Sequence, residues 1–195
     1  MINLSRTKCA TGGTLAVMAL AVAGLSATAT PAGATTATAT LTAGSLGFIG
    51  TPANLTFPST ALTGVNQTLT ASAAIDIGDA SGSGVGWNLT ATSTTFISGV
   101  NVLPIAATTI GVVPAVASCD ASSTCAPATA AAGVTYPYSL PSGATAPTAT
   151  KMYSATAGTG LGDQTLTPTW TLAVPSKSLA GAYTATWTIS IVSGP

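Results

Sequence analysis

Few side chains in this sequence can do chemistry, and the missing types decide as much as those present. The chain has no His and no Glu in 195 residues, and its four carboxylates are Asp76, Asp79, Asp120 and Asp163. A Ser-His-Asp triad, a Cys-His pair and an HExxH zinc site each need an imidazole as base or ligand, so all three are excluded. A two-carboxylate glycosidase centre would have to be drawn from the four Asp residues. Of these, Asp163 sits in Gly160-Leu161-Gly162-Asp163-Gln164 and Asp120 in Cys119-Asp120-Ala121-Ser122-Ser123-Thr124-Cys125. Asp in such settings forms turns by bonding its own backbone. The expectation is a protein that is not an enzyme and uses no cofactor.

Asp76 and Asp79, followed by Ser81 and Ser83, offer the oxygens that Ca²⁺ takes, but their spacing is not that of an EF-hand. A hydrogen-bonded turn is the reading adopted, and no metal is expected. Cys119 and Cys125 are expected to form a disulfide, because an even pair in an exported chain is normally oxidised. Without His or a second Cys pair, a tetrahedral metal shell has no further soft ligands. Three tryptophans could stack on sugars. Trp87, Trp170 and Trp187 nevertheless fall on the apolar parity of their segments, which places them in the core. Tyr136, Tyr138 and Tyr153 lie in less regular stretches and are the residues expected to make exposed contacts. The sequons at Asn54, Asn66 and Asn88 are assigned no function, since chance matches are expected in a Thr-rich chain.

The elements that position these residues follow an export signal. Arg6 and Lys8 precede an apolar stretch over 15–25, which gives way to Ala32-Gly33-Ala34. That stretch is shorter than the roughly 20 residues of a membrane span and ends in an A-x-A site, the pattern of a signal peptide. Cleavage is expected after Ala34, with Ala27-Thr28-Ala29 as the other site, and the membrane is met only through this segment. The mature chain keeps Lys151 and Lys177 against four Asp, a balance of −2. Two scattered lysines cannot neutralise the several phosphates that nucleic acid affinity requires, nor hold an anionic lipid surface. With 4% charged and 47% hydrophobic residues, the surface must be neutral and hydroxylated. Threonine supplies that polarity, and its branched side chain suits an exposed strand face.

Period-two alternation recurs along the chain, which predicts an all-β fold, an antiparallel sandwich or barrel-like domain over 35–195. In 67–77, Leu69, Ala71, Ala73, Ile75 and Ile77 share one face. In 85–91, Val85, Trp87, Leu89 and Ala91 do so, and the turn-rich 78–84 between the two runs predicts that they pair. Leu166, Pro168, Trp170, Leu172 and Val174 form a third run, with Pro168 favouring an edge or bulge. Tyr183, Ala185, Trp187, Ile189 and Ile191 form a fourth, and 175–181 between them reads as a hairpin loop. Residues 102–150, broken by Pro104, Pro114, Pro127, Pro137, Pro141 and Pro147, read as a long irregular insertion with little core of its own.

Two of these runs carry a family resemblance. Asp79-Ala80-Ser81-Gly82-Ser83-Gly84-Val85-Gly86-Trp87-Asn88-Leu89-Thr90 and the terminal Gly181-Ala182-Tyr183-Thr184-Ala185-Thr186-Trp187-Thr188-Ile189 together resemble the WxL-domain family of bacterial surface proteins. Trp87-Asn88-Leu89 matches the first motif. Tyr183 with Trp187-Thr188-Ile189 matches the second, with Ile in place of Leu. The resemblance implies noncovalent attachment to the cell wall through peptidoglycan or another wall polymer, often in company with other surface proteins. Ser81 departs from the Arg that is frequent there. Leu140-Pro141-Ser142-Gly143 lacks the Thr of a sortase signal, in keeping with noncovalent attachment. The alternative is a structural subunit that assembles into a surface layer or filament through exposed strand edges.

Overall fold

A segment that alternates apolar and hydroxylated residues can bury one face only by pairing into a sheet that lies against another. The computed structural model describes residues 36–105, 107–111, 117–129 and 133–195. The chain divides into Met1–Thr40 and Leu41–Pro195. Residues 36–40 of the first unit are exposed and belong to no strand; the stretch expected to be a signal peptide and both expected cleavage sites lie outside the described residues.

All fourteen elements described in the second unit are strands: β1 (Leu46–Phe48), β2 (Gln67–Ser72), β3 (Ile75–Asp79), β4 (Trp87–Thr94), β5 (Ile97–Ser98), β6 (Asn101–Val102), β7 (Thr108–Ile110), β8 (Ser118–Cys119), β9 (Tyr138–Ser139), β10 (Ser142–Gly143), β11 (Thr150–Ala155), β12 (Gly162–Leu166), β13 (Thr169–Val174) and β14 (Trp187–Ser193). A first sheet has the order β1-β3-β12-β8, a second β2-β13-β7-β9, and a third centres on β4, with β14 on one side and β11 and β10 on the other. The hairpin β5-β6 stands apart. Pairing is antiparallel except between β10 and β4. The fold is an all-β sandwich, and no sheet closes into a barrel.

Two of the alternating runs each change sheet midway, and they do so together. β2 pairs β13 from Gln67↔Val174 to Ser72↔Thr169, and β3 pairs β12 from Ile75↔Leu166 to Asp79↔Gly162. The register is unchanged across the gap, so 67–79 and 162–174 form one antiparallel ribbon that bends at Ala73-Ala74 and Thr167-Pro168. Pro168, buried and without an N–H, cannot complete a ladder there. The bend carries the ribbon from the second sheet into the first. Two expected pairings are corrected by this geometry. β3 and β4 occupy different sheets instead of pairing across 78–84, and β13 and β14 do likewise across 175–181.

The main core gathers Ile75, Ile77, Trp87, Leu89, Ile110, Leu140, Met152, Leu166 and Trp170, among others. The parity of each run holds within it, apart from Val85, which is 43% exposed. Gly84 and Gly86 take positive φ of 65° and 79° on either side of Val85, so regular alternation begins only at Trp87.

The region 102–150 has more core than expected. It supplies β7 and β9 to the second sheet, β8 to the first and β10 to the third, and buries Leu103, Ile110, Ala117, Ala128, Tyr138 and Leu140. Its disulfide links Cys119 to Cys125 with Cα atoms 5.5 Å apart. Cys119 pairs Gln164 within β12, and Ala126 bridges Leu161 just before it, so the short loop staples two contacts at this strand and its approach.

Candidate functional site

The two motif segments lie side by side. Trp87 opposes Ser193, Leu89 opposes Ile191, Ala91 opposes Ile189 and Ser93 opposes Trp187 along the β4-β14 ladder. Trp87 and Leu89 are fully buried. The Trp87 indole donates to the Gly160 carbonyl at 2.9 Å, and its ring lies 5.9 Å from that of Tyr153. Asn88, on the opposite parity, donates through Nδ2 to the Gly194 carbonyl and so ties down the end of β14. Trp87 and Leu89 therefore pack the core, and Asn88 holds the end of β14.

The terminal motif has a different setting. Trp187 is half-buried and packs edge-on against Trp170 at 4.8 Å and Phe96 at 6.5 Å. Phe57 extends this run beyond Phe96 at 6.2 Å, and Tyr138 extends it beyond Trp170 at 6.3 Å. Phe57, Phe96, Trp187 and Trp170 of this run line a groove of about 1270 Å³, and Tyr138 stays in the core behind them. Leu69, Leu172 and Val174 of β2 and β13 line it, together with Trp187 and Ile189 of β14 and the strandless segment 51–62. Among the described residues, none that lines it is charged. Tyr183, whose hydroxyl donates to the Leu179 carbonyl at 2.9 Å, stands in its wall. β2 pairs only with β13 and β14 only with β4 among the described residues, so each strand has a backbone edge without a ladder partner.

The tyrosines expected at the surface are placed differently. Tyr138 is 6% exposed and Tyr153 1%. Their hydroxyls bond Thr150 at 3.0 Å and the Ala128 carbonyl at 3.2 Å. Tyr136 is half-buried and donates to the Met152 carbonyl at 2.7 Å. Irregular backbone around Tyr136 and Tyr138 wraps the core and Tyr153 lies in β11 opposite Leu89, and each ring buries its body while its hydroxyl finds an acceptor. Burial pushes all three phenols up, Tyr136 to about 12 with added repulsion from Tyr153 and Tyr138.

Three of the carboxylates serve local structure, and Asp163, expected in a turn, is instead exposed on β12 opposite Gly78. Asp79 Oδ1 accepts from the Ser81 amide at 3.0 Å and hydroxyl at 2.6 Å, and the Ser81 and Ser83 hydroxyls are 3.0 Å apart. That is the hydrogen-bonded turn expected there. Asp76 and Asp79, three residues apart on β3, face opposite sides and do not converge on one ion. Asp76 and Asp120 both approach the Thr165 hydroxyl, at 2.9 and 2.6 Å.

One feature became visible only with strand order. On the second sheet, the face opposite Leu69, Trp170, Leu172 and Ile110 carries hydroxyls in register. Thr70 opposes Thr171, Thr171 opposes Thr109, and Thr109 opposes Ser139, a row spanning all four strands. Ser72 and Thr169 form part of the next row, with hydroxyls 3.0 Å apart, and those of Thr109 and Thr171 are 2.7 Å apart. Strand geometry repeats such hydroxyls about every 4.8 Å across the sheet and about every 7 Å along it. No charged residue occurs in β2, β13, β7 or β9. The outward threonines of β2 and β13 were legible as alternation, whereas their alignment with Thr109 and Ser139 required the pairing.

A comparison of the chain with protein-family models, with curated proteins and with solved structures finds no match in any of the three.

Proposed function

We propose that this chain is an exported, noncatalytic β-sandwich that associates noncovalently with the bacterial cell wall as a WxL-like domain, its second sheet meeting the neutral glycan strands of peptidoglycan. The observation that carries the reading is the charge-free row Thr70, Thr171, Thr109 and Ser139. A glycan presents hydroxyl and acetamido groups along a stiff repeat. A stiff repeat of protein hydroxyls can exchange bonds to water for bonds to such a polymer without desolvating an ion. The signal-like N-terminus and the two aromatic motifs, brought onto adjacent strands, agree with a wall-associated surface protein.

Sedimentation with purified walls tests this reading. The wild-type protein is expected in the pellet, and the double variant Thr70→Glu/Ser139→Glu is expected to bind at least about tenfold more weakly, about 1.4 kcal/mol, with an unchanged thermal midpoint. A folded wild-type protein that stays wholly in the supernatant would overturn it. A second reading, a subunit that assembles with its own kind, is favoured by the strand edges that β2 and β14 leave without a ladder partner beside the groove.

A further inference from the structure

We infer that the groove seats the uncharged arm preceding β1, residues 36–43, donated by a second copy of this chain. The inference deepens the self-assembly reading and does not depend on the wall-facing row, which lies on the other side of the second sheet from Leu69 and Leu172.

The groove has the features of a position awaiting a strand. β2 and β14 each contribute side chains to its lining and each keep one backbone edge without a strand partner among the described residues. A row of N–H and C=O groups left open in this way is a template for an added strand. The segment 51–62 passes over this region without joining a sheet. It is held to β2 through the Gln67 side chain, which donates to Thr60 Oγ1 at 3.1 Å and to the Ala61 carbonyl at 3.0 Å.

The arm has the matching chemistry. Residues 36–43 are exposed throughout, and the backbone tie to the fold begins at Gly44, whose N–H donates to the Ala80 carbonyl at 2.8 Å. Ala37, Ala39, Leu41 and Ala43 share one parity, with Thr36, Thr38, Thr40 and Thr42 on the other. This is the pattern of a strand with one apolar face. Leu41 is 95% exposed. No charged residue occurs from Cys9 to Ile75, so entry into the uncharged groove strips no ion of water. Extended, eight residues span about 26 Å, enough to run the length of β2.

Chain direction selects a second copy over the same molecule. β1 is antiparallel to β3, with Leu46 opposite Asp79. Tracing backward from β1, the chain passes Ala80 at the end of the ribbon remote from β2. The groove lies beside Leu69 and Ala73, at the other end. The chain thus enters β1 from the end remote from the groove, whereas the arm of a neighbour can enter the groove directly and each copy can receive one in turn.

The test is size-exclusion chromatography with light scattering on the full chain processed by export, across a concentration series. The wild-type protein is expected to form concentration-dependent oligomers. Leu41→Asp and Ala39→Pro are expected to elute as monomers with the wild-type thermal midpoint, since both positions are exposed. A synthetic peptide of residues 36–44 is expected to shift wild-type oligomers to peptide-capped monomers. A wild-type monomer at every concentration overturns the inference, as do oligomers that persist in both variants. Running the same samples on purified walls keeps the readings apart. Monomeric Leu41→Asp that still pellets with walls supports both, and oligomers that never pellet overturn wall association while supporting arm donation.

Discussion

Trp87 shows how much one side chain can anchor. Its ring has no solvent exposure and its indole bonds the Gly160 carbonyl. Gly160 itself, at φ +78°, has no room for a Cβ beside that indole. Trp87→Ala is expected to lose about 3–5 kcal/mol of stability, measured by chemical denaturation, and Gly160→Ala is expected to destabilise through the same contact. The buried tyrosines set an alkaline limit. A phenol whose folded-state pKa lies above 10.0 holds its proton more tightly when folded, so its contribution is complete below about pH 10 and is lost as pH rises toward 12. The thermal midpoint should fall over that window, and Tyr136→Phe should make the fall shallower. Parity along the strands was enough to place Trp87 and Trp170 in the core. It gave no guide to Tyr136 and Tyr138, which are buried by proline-broken backbone folding over the sheets, or to Tyr153, which lies in β11 where an irregularity between Lys151 and Tyr153 breaks the alternation.

At the scale of elements, alternation identified the runs but not their partners. A period of two says which side chains share a face and nothing about which neighbour completes the ladder. Short turn-rich connections therefore suggested local hairpins, whereas the longest pairing joins 67–79 to 162–174 in one bent ribbon. The insertion was obscure for a related reason. Strands of two or three residues, such as β7 to β10, are too short to show a period, yet they widen all three sheets. The Cys119–Cys125 loop secures one of them against β12. Its removal by Cys119→Ser with Cys125→Ser should cost at most about 2–3 kcal/mol, or about 4–12 °C in thermal midpoint for a domain of this size. A calorimetric scan under reducing conditions checks this independently of the substitutions.

Across the whole molecule, the near absence of charge was visible in composition, and the structure organises it. One side of the second sheet carries hydroxyls in register, and the other lines an uncharged groove. Neither surface could be assembled from the sequence, since each draws on residues brought together by the ribbon and the insertion. The same scarcity of ions has a consequence for durability. Beyond Lys8 the chain offers a protease that cuts after basic residues only Lys151 and Lys177, and with no Glu it offers nothing to one that requires glutamate. Lys151 lies within β11, paired with Thr90, where cleavage needs the strand to peel away. Lys177 is exposed in the turn after β13. Trypsin acting on the folded protein should therefore make a single nick in the domain, releasing 178–195 only on denaturing electrophoresis, because β14 stays zipped to β4. A digest that proceeds at Lys151 under native conditions would show that β11 opens far more readily than its place beside β4 implies. A surface built from threonine in place of lysine and glutamate is thus also a surface with very few places to be cut.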